Sequence, residues 1–195
     1  MPGTLFITGD ETADGLLNSD GNALLLGMLL DQQVPMEWAF AGPAKLQDRL
    51  GHLDPKKIAA MDVDDFVAIC VEKPAIHRFP GSMGKRIHAV CEVLAEEYRG
   101  DASNMWADVE NGSELYDRLR ALPGYGDEKT KIFIAILAKS QDVAPEGWRE
   151  AAGKFGDDVP RSVADIHDEI SLGKVREWKK AQKAAKKDKQ GRKVK

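Results

Sequence analysis

The chain lacks the features that would place it in a membrane, in a disulfide scaffold or around a metal. No apolar run approaches the roughly 20 consecutive residues that a membrane span needs. Residues 1–10 have neither the basic start nor the apolar stretch of a signal peptide, so a cytoplasmic protein is expected, nucleoid-associated if its source is bacterial. Cysteine is scarce. The only two, Cys70 and Cys91, each lie in an apolar helical pattern and read as reduced core residues. No Cys/His cluster has metal-ligand spacing, so no metal is expected. No pair of segments reads as paired strands, and the fold class is all-α.

What is present is a succession of helical patterns in 195 residues, enough chain for one compact domain or two small lobes. Residues 4–9 read as a short extended segment, and Asp10 or Thr12 caps a helix reaching Leu17. The run 23–30 is apolar on nearly every side, as expected at the centre of a bundle. Pro35 opens a helix over 36–50 with Trp38 and Phe40 inward; shorter helices follow at 55–60 and 63–72, then a long one over 83–98. Near the end, a short helix spans 148–152, Ser162 and Asp168 cap two more, and a basic segment begins at Lys174.

Charge is divided unevenly along the chain. Residues 174–195 hold 11 Lys and Arg against Glu177 and Asp188, a net of +9, and subtracting that from the total of −4 leaves −13 for residues 1–173. An acidic body repels nucleic acid at long range, so any such binding must rely on a local basic surface and on the tail.

The stretch with the most specific chemistry is 115–137. Leu115, Leu119 and Leu122 recur at helical spacing before Pro123, and Ile132, Phe133, Ala135 and Ile136 give an apolar face after it. Between them Gly124-Tyr125-Gly126 makes a corner in which glycine permits positive φ and close approach to the backbone. The amides after Gly126 open a helix, and unpaired amides at the positive end of a helix dipole attract phosphate.

Here the chain resembles the helix-hairpin-helix (HhH-GPD) base-excision DNA glycosylases, the endonuclease III and adenine-glycosylase superfamily. The resemblance extends to Phe79-Pro80-Gly81-Ser82-Met83-Gly84-Lys85-Arg86-Ile87 and to the Gln-containing turn Asp31-Gln32-Gln33-Val34, and spans about residues 22–140. It implies a two-lobed helical fold: residues 22–140 as a barrel lobe containing the hairpin, 1–21 with 141–178 as a second lobe, and 179–195 as a basic tail, frayed or disordered. It further implies a monomer acting on double-stranded DNA that contains a damaged or mismatched base, with no membrane partner. Gln33 would enter the duplex as a wedge, while Lys85, Arg86, Gly124, Gly126, Lys129 and Lys131 would bind DNA. Several relatives carry a four-cysteine iron–sulfur cluster, which two cysteines cannot supply. The remaining implied cofactor is a monovalent cation at the hairpin when DNA is bound.

The resemblance also locates the chemistry. Aligning Gly124-Tyr125-Gly126 on the family glycines puts Glu128 where strand-cleaving members have a lysine, and Lys129 lies about 100° further around the helix, so no β-lyase activity is expected. The same alignment puts Glu146 at the family's catalytic aspartate, after Pro145 and outside the usual hydrophobic-Asp-Thr pattern. Asp142 is the alternative acid, with Asp157 or Asp158 reachable from a later loop. Trp148 reads first as core and second as a platform for a flipped base, and His77 reads first as a structural histidine and second as a residue facing the cleft. Two readings stay open: a monofunctional DNA N-glycosylase that flips and removes a damaged base, and a catalytically inactive lesion or structure-specific DNA binder on the same scaffold.

Overall fold

A computed structural model of the chain describes residues 4–185 and 193. The helices are α1 Glu11–Ser19, α2 Gly21–Leu30, α3 Met36–Leu50, α4 Pro55–Ala59, α5 Val63–Val71, α6 Pro80–Glu97, α7 Gly112–Arg120, α8 Asp127–Ser140, α9 Trp148–Ala152 and α10 Glu169–Ala184. Among the described residues there is no strand, and a parallel bridge joins Asn111 to Glu146.

Local signals set most boundaries. Asp20 ends α1 with its backbone, and its carboxylate accepts the Asn22 and Ala23 amides that open α2. Helix α2 is buried from Ala23 to Leu30, and α1, α3, α6 and α8 surround it. An apolar helix without a polar face has no stable place except the middle of a bundle. Helices α4 and α5 lie on α6, while α9 packs on both α7 and α8. The core is a single cluster running from Leu5 to Val175.

Residues 4–9 form no helix, and their amides go to distant partners: Leu5 to Asn18, Phe6 to the Ile166 carbonyl, and Ile7 and Thr8 to the buried Asp14 carboxylate. Two expectations are corrected. Trp38 is 37% exposed, since the inward stripe of α3 is Met36, Ala39, Phe40, Pro43 and Leu46, whose centre lies about 140° away around the helix. Helix α6 starts at Pro80 rather than Met83, proline being suited to a first helical turn. Residues 179–184 of the basic tail lie in α10, which Asp168 and Ser171 open by reciprocal capping. Residues 186–192, 194 and 195 of that tail lie outside the described residues.

Candidate active site and nucleic-acid interface

The corner between α7 and α8 is held from inside. Leu122 and Tyr125 are buried, the Tyr125 hydroxyl donates to the Leu25 carbonyl at 2.6 Å, and the ring meets Phe133 edge-on. Arg120 donates to the Tyr125 carbonyl at 2.9 Å, fixing the strap from the solvent side. Gly124 has φ +83, and a Cβ there would lie 2.8 Å from a Leu29 methyl. Gly126 differs: at φ −81 and ψ 175 any residue fits, and a Cβ would meet nothing within 4 Å. No side chain caps α8, and the amides of Gly126 and Asp127 have no acceptor among the described residues. These donors face open space at the positive end of a 14-residue helix.

Two further elements converge on this corner. The Arg86 side chain of α6 passes 3.4 Å from the Cβ position of Gly124, and both Lys85 and Arg86 are exposed. The turn after α2 carries Gln33, exposed and at φ +57, a left-handed value that costs a non-glycine residue energy. Its neighbour Gln32 holds the turn in place by donating to Met83 Sδ at 2.8 Å and accepting at its carbonyl from His77. The Phe79 amide donates to His77 Nδ1, so the proton sits on Nε2, which gives it to Gln32 O at 3.0 Å. Burial outweighs these carbonyl contacts and holds His77 below its ordinary value. His77 is therefore a latch for the Gln33 turn.

The two hairpin lysines do not reach for the open corner. Lys129 turns inward and its ammonium donates to the Leu29 carbonyl at 2.6 Å, bracing α8 against the end of α2. Lys131 leaves the opposite side of α8 and pairs with Asp127 at 2.9 Å. Without DNA, the ammonium groups of both lysines are thus engaged within the protein. Positions two apart lie about 200° apart around a helix, and each lysine has a nearer acceptor.

Beneath the corner, α7, α8 and α9 enclose a cleft of 780 Å³ whose walls include Tyr116, Asp127, Lys131, Glu146 and Glu150. The Tyr116 hydroxyl donates to Asp127 at 2.9 Å, across the hairpin. Lys131 above all, then Tyr116, holds the Asp127 carboxyl below the usual carboxylate range, and Asp127 in turn pushes the Tyr116 phenol up. Glu146 reaches the cleft because its carbonyl accepts the Gly112 amide at 2.7 Å. Gly112 is what permits that approach, as a Cβ there would sit 2.6 Å from the Gly147 carbonyl. The Glu146 side chain is exposed at the lip and has no partner among the described residues.

The other acids lie elsewhere. Asp142, at φ +59, lines a separate groove with Lys139, Trp148, Arg149 and Asp158, so Asp142 and Glu146 do not share a cavity. Asp157 is engaged by Arg161 at 2.5 Å. Trp148 is half-buried against the core with the Arg149 guanidinium 4.6 Å from its ring. Sequence reasoning missed Tyr116 and Asp127; the i,i+4 spacing of Asp127 and Lys131 was a readable signal, whereas the Tyr116 contact depends on how the hairpin closes. Cys70 and Cys91 are buried on α5 and α6, and a cluster requiring four thiolates does not fit a chain with two.

A family model described as HhH-GPD superfamily base excision DNA repair protein matches residues 26–194. The chain therefore belongs to the HhH-GPD superfamily of base-excision DNA repair proteins. Among solved structures it is similar to a trapped endonuclease III–DNA covalent intermediate, at 13% identity and TM-score 0.45 over 85% of this chain and 74% of the other. It is also similar to a non-covalent endonuclease III–DNA complex, at 14% identity and TM-score 0.45 over 85% and 73%. No curated protein matches the chain.

Proposed function

We propose that this protein is a monofunctional DNA N-glycosylase, acting as a monomer on duplex DNA that carries a damaged or mismatched base. The open amides of Gly126 and Asp127 take a backbone phosphate, and Arg86 and Lys85 add charge beside it. Gln33 fills the space left when the target base swings out, its flat amide hydrogen-bonding the orphaned partner. The extruded base enters the cleft under the hairpin. There Glu146 stabilises the positive charge that develops on the sugar as the glycosidic bond breaks and orients the attacking water. No amine nucleophile is assigned: Glu128 occupies the family's lysine position, and Lys131 is ion-paired to Asp127.

The observation that carries this reading is an unpartnered carboxylate, Glu146, in the same cleft as the first turn of the hairpin helix. The test incubates the protein with oligonucleotides bearing different base lesions and then treats them with alkali to cut abasic sites. Wild type is expected to cut at one or more lesions after alkali only, and Glu146→Gln to lose about 10²-fold or more in rate with its affinity for the same duplex unchanged. Full activity in Glu146→Gln removes Glu146 from the mechanism. The second reading, a lesion binder without chemistry, is favoured by the exposure of Glu146, since a carboxylate in water is a weaker electrostatic stabiliser than one in a dry pocket. That reading wins if wild type binds damaged duplex and releases no base from any of them.

A further inference from the structure

With Lys129 on a carbonyl and Lys131 on a carboxylate, the hairpin itself offers DNA amides rather than cations. The largest positive density among the described residues lies on α10. Arg176, Lys179, Lys180 and Lys183 recur at i, i+3, i+4 and i+7 and so form one stripe along the helix. The flank of α10 next to Lys179 is anchored, with Val175 fully buried and Trp178 under the Arg161 guanidinium. The stripe is not distant from the hairpin. Arg176 pairs with Glu37 at 2.6 Å and the Lys179 ammonium lies 3.4 Å from Met36 Sδ, docking α10 on the first turn of α3. That turn directly follows the Gln33 loop, and a groove of 450 Å³ lies between the loop and α10, lined by Asp31, Gln33, Glu37, Arg176 and Lys179 among others, so that its two cations are balanced by two carboxylates. The Gln33 loop thus adjoins the hairpin through Leu29 and α10 through Met36 and Glu37.

We propose that the exposed end of the α10 stripe, Lys180 and Lys183, holds DNA phosphates on the α10 side of the Gln33 wedge while the hairpin holds phosphates at a second place. The proposal rests on the DNA-binding reading above. Its physical basis is charge complementarity: residues 1–173 carry −13, so a polyanion approaches where positive charge is concentrated, and beyond Arg176 and Lys179, which dock α10 on α3, the stripe presents Lys180 and Lys183 exposed on the same helix. Two grips flanking a wedge also keep the duplex from rolling away when a side chain enters it.

The experiment measures the affinity of the full chain for an undamaged duplex across a salt series. Lys180→Gln with Lys183→Gln alters two exposed side chains and leaves the anchored face of α10 untouched. The slope of log affinity against log salt is expected to flatten by about 1 to 2, each lost phosphate contact being worth roughly 0.9. Circular dichroism verifies that the helix content is retained. If Gly126→Val weakens binding while the stripe variants keep the wild-type slope, the hairpin reading stands and the α10 proposal is overturned. If wild type binds no duplex at all, both fail. Loss of binding to phosphatidylserine vesicles with an unchanged DNA slope assigns the stripe to a membrane surface and also overturns the proposal.

Discussion

At the scale of single residues, the two hairpin glycines do different jobs and should fail differently. Gly124 is needed for the fold of the corner, since it combines φ +83 with a Cβ position 2.8 Å from Leu29. Gly126 has ordinary backbone angles and open space, so its lack of a side chain matters only to something arriving from outside. Gly126→Val is therefore expected to keep the wild-type melting temperature within a few degrees and to weaken duplex binding at fixed low salt by about tenfold or more, as one charge-assisted contact contributes roughly 1.5–3 kcal/mol. Gly124→Ala is expected to lower the melting temperature. Equal affinity in Gly126→Val and wild type counts against phosphate at the corner amides, and a collapse of its fold counts against the geometry.

At the scale of elements, the Gln33 turn depends on a histidine latch that titrates. The Phe79 amide needs a lone pair on His77 Nδ1, which protonation removes. Burial lowers the His77 pKa from 6.5 in the folded chain, so below pH 6.5 the unfolded chain binds more protons than the native one. The latch thus contributes fully above that pH, and its contribution is lost as the pH falls through the folded value. Denaturant midpoints measured from pH 7.5 to 5 should drop more steeply for wild type than for His77→Gln; parallel curves would show that His77 is not the titrating group. Elements were legible in the sequence wherever a cap or a period marks them locally: Asp10 before α1, Asp168 before α10, and the leucine and isoleucine stripes either side of Pro123. They were out of reach where a partner far along the chain decides: nothing in residues 4–9 shows that Asp14 and Ile166 take their amides, and nothing local places Glu146 beside Gly112. The corner glycines were readable for the same reason as the caps, whereas the cleft beneath them is assembled from α7, α8 and α9 only after the chain has closed.

At the scale of the whole molecule, a single core cluster couples the two ends of the chain. It includes Leu5 and Ile7 near the start, α2 in the middle, and Ile166 and Val175 near the end, so neither terminal segment has apolar contacts of its own to unfold around. Cooperative loss of structure is then expected, and the two cysteines report on it because they sit on α5 and α6 within that core, fully buried. Burial pushes both thiols up to about 12. At pH 8 the reactive thiolate is thus roughly one molecule in ten thousand even before access is considered. A disulfide reagent can reach them at an appreciable rate only after the core opens, so Cys70 and Cys91 should become reactive together. Their titration in increasing urea should share its midpoint with the loss of helix measured by circular dichroism. If one thiol reacts well below that midpoint, α5 and α6 open as a unit separate from the hairpin. The interface that joins Gln33, Arg86 and the corner glycines would then be assembled from parts of unequal stability, and duplex binding would fail at urea concentrations where α8 is still folded.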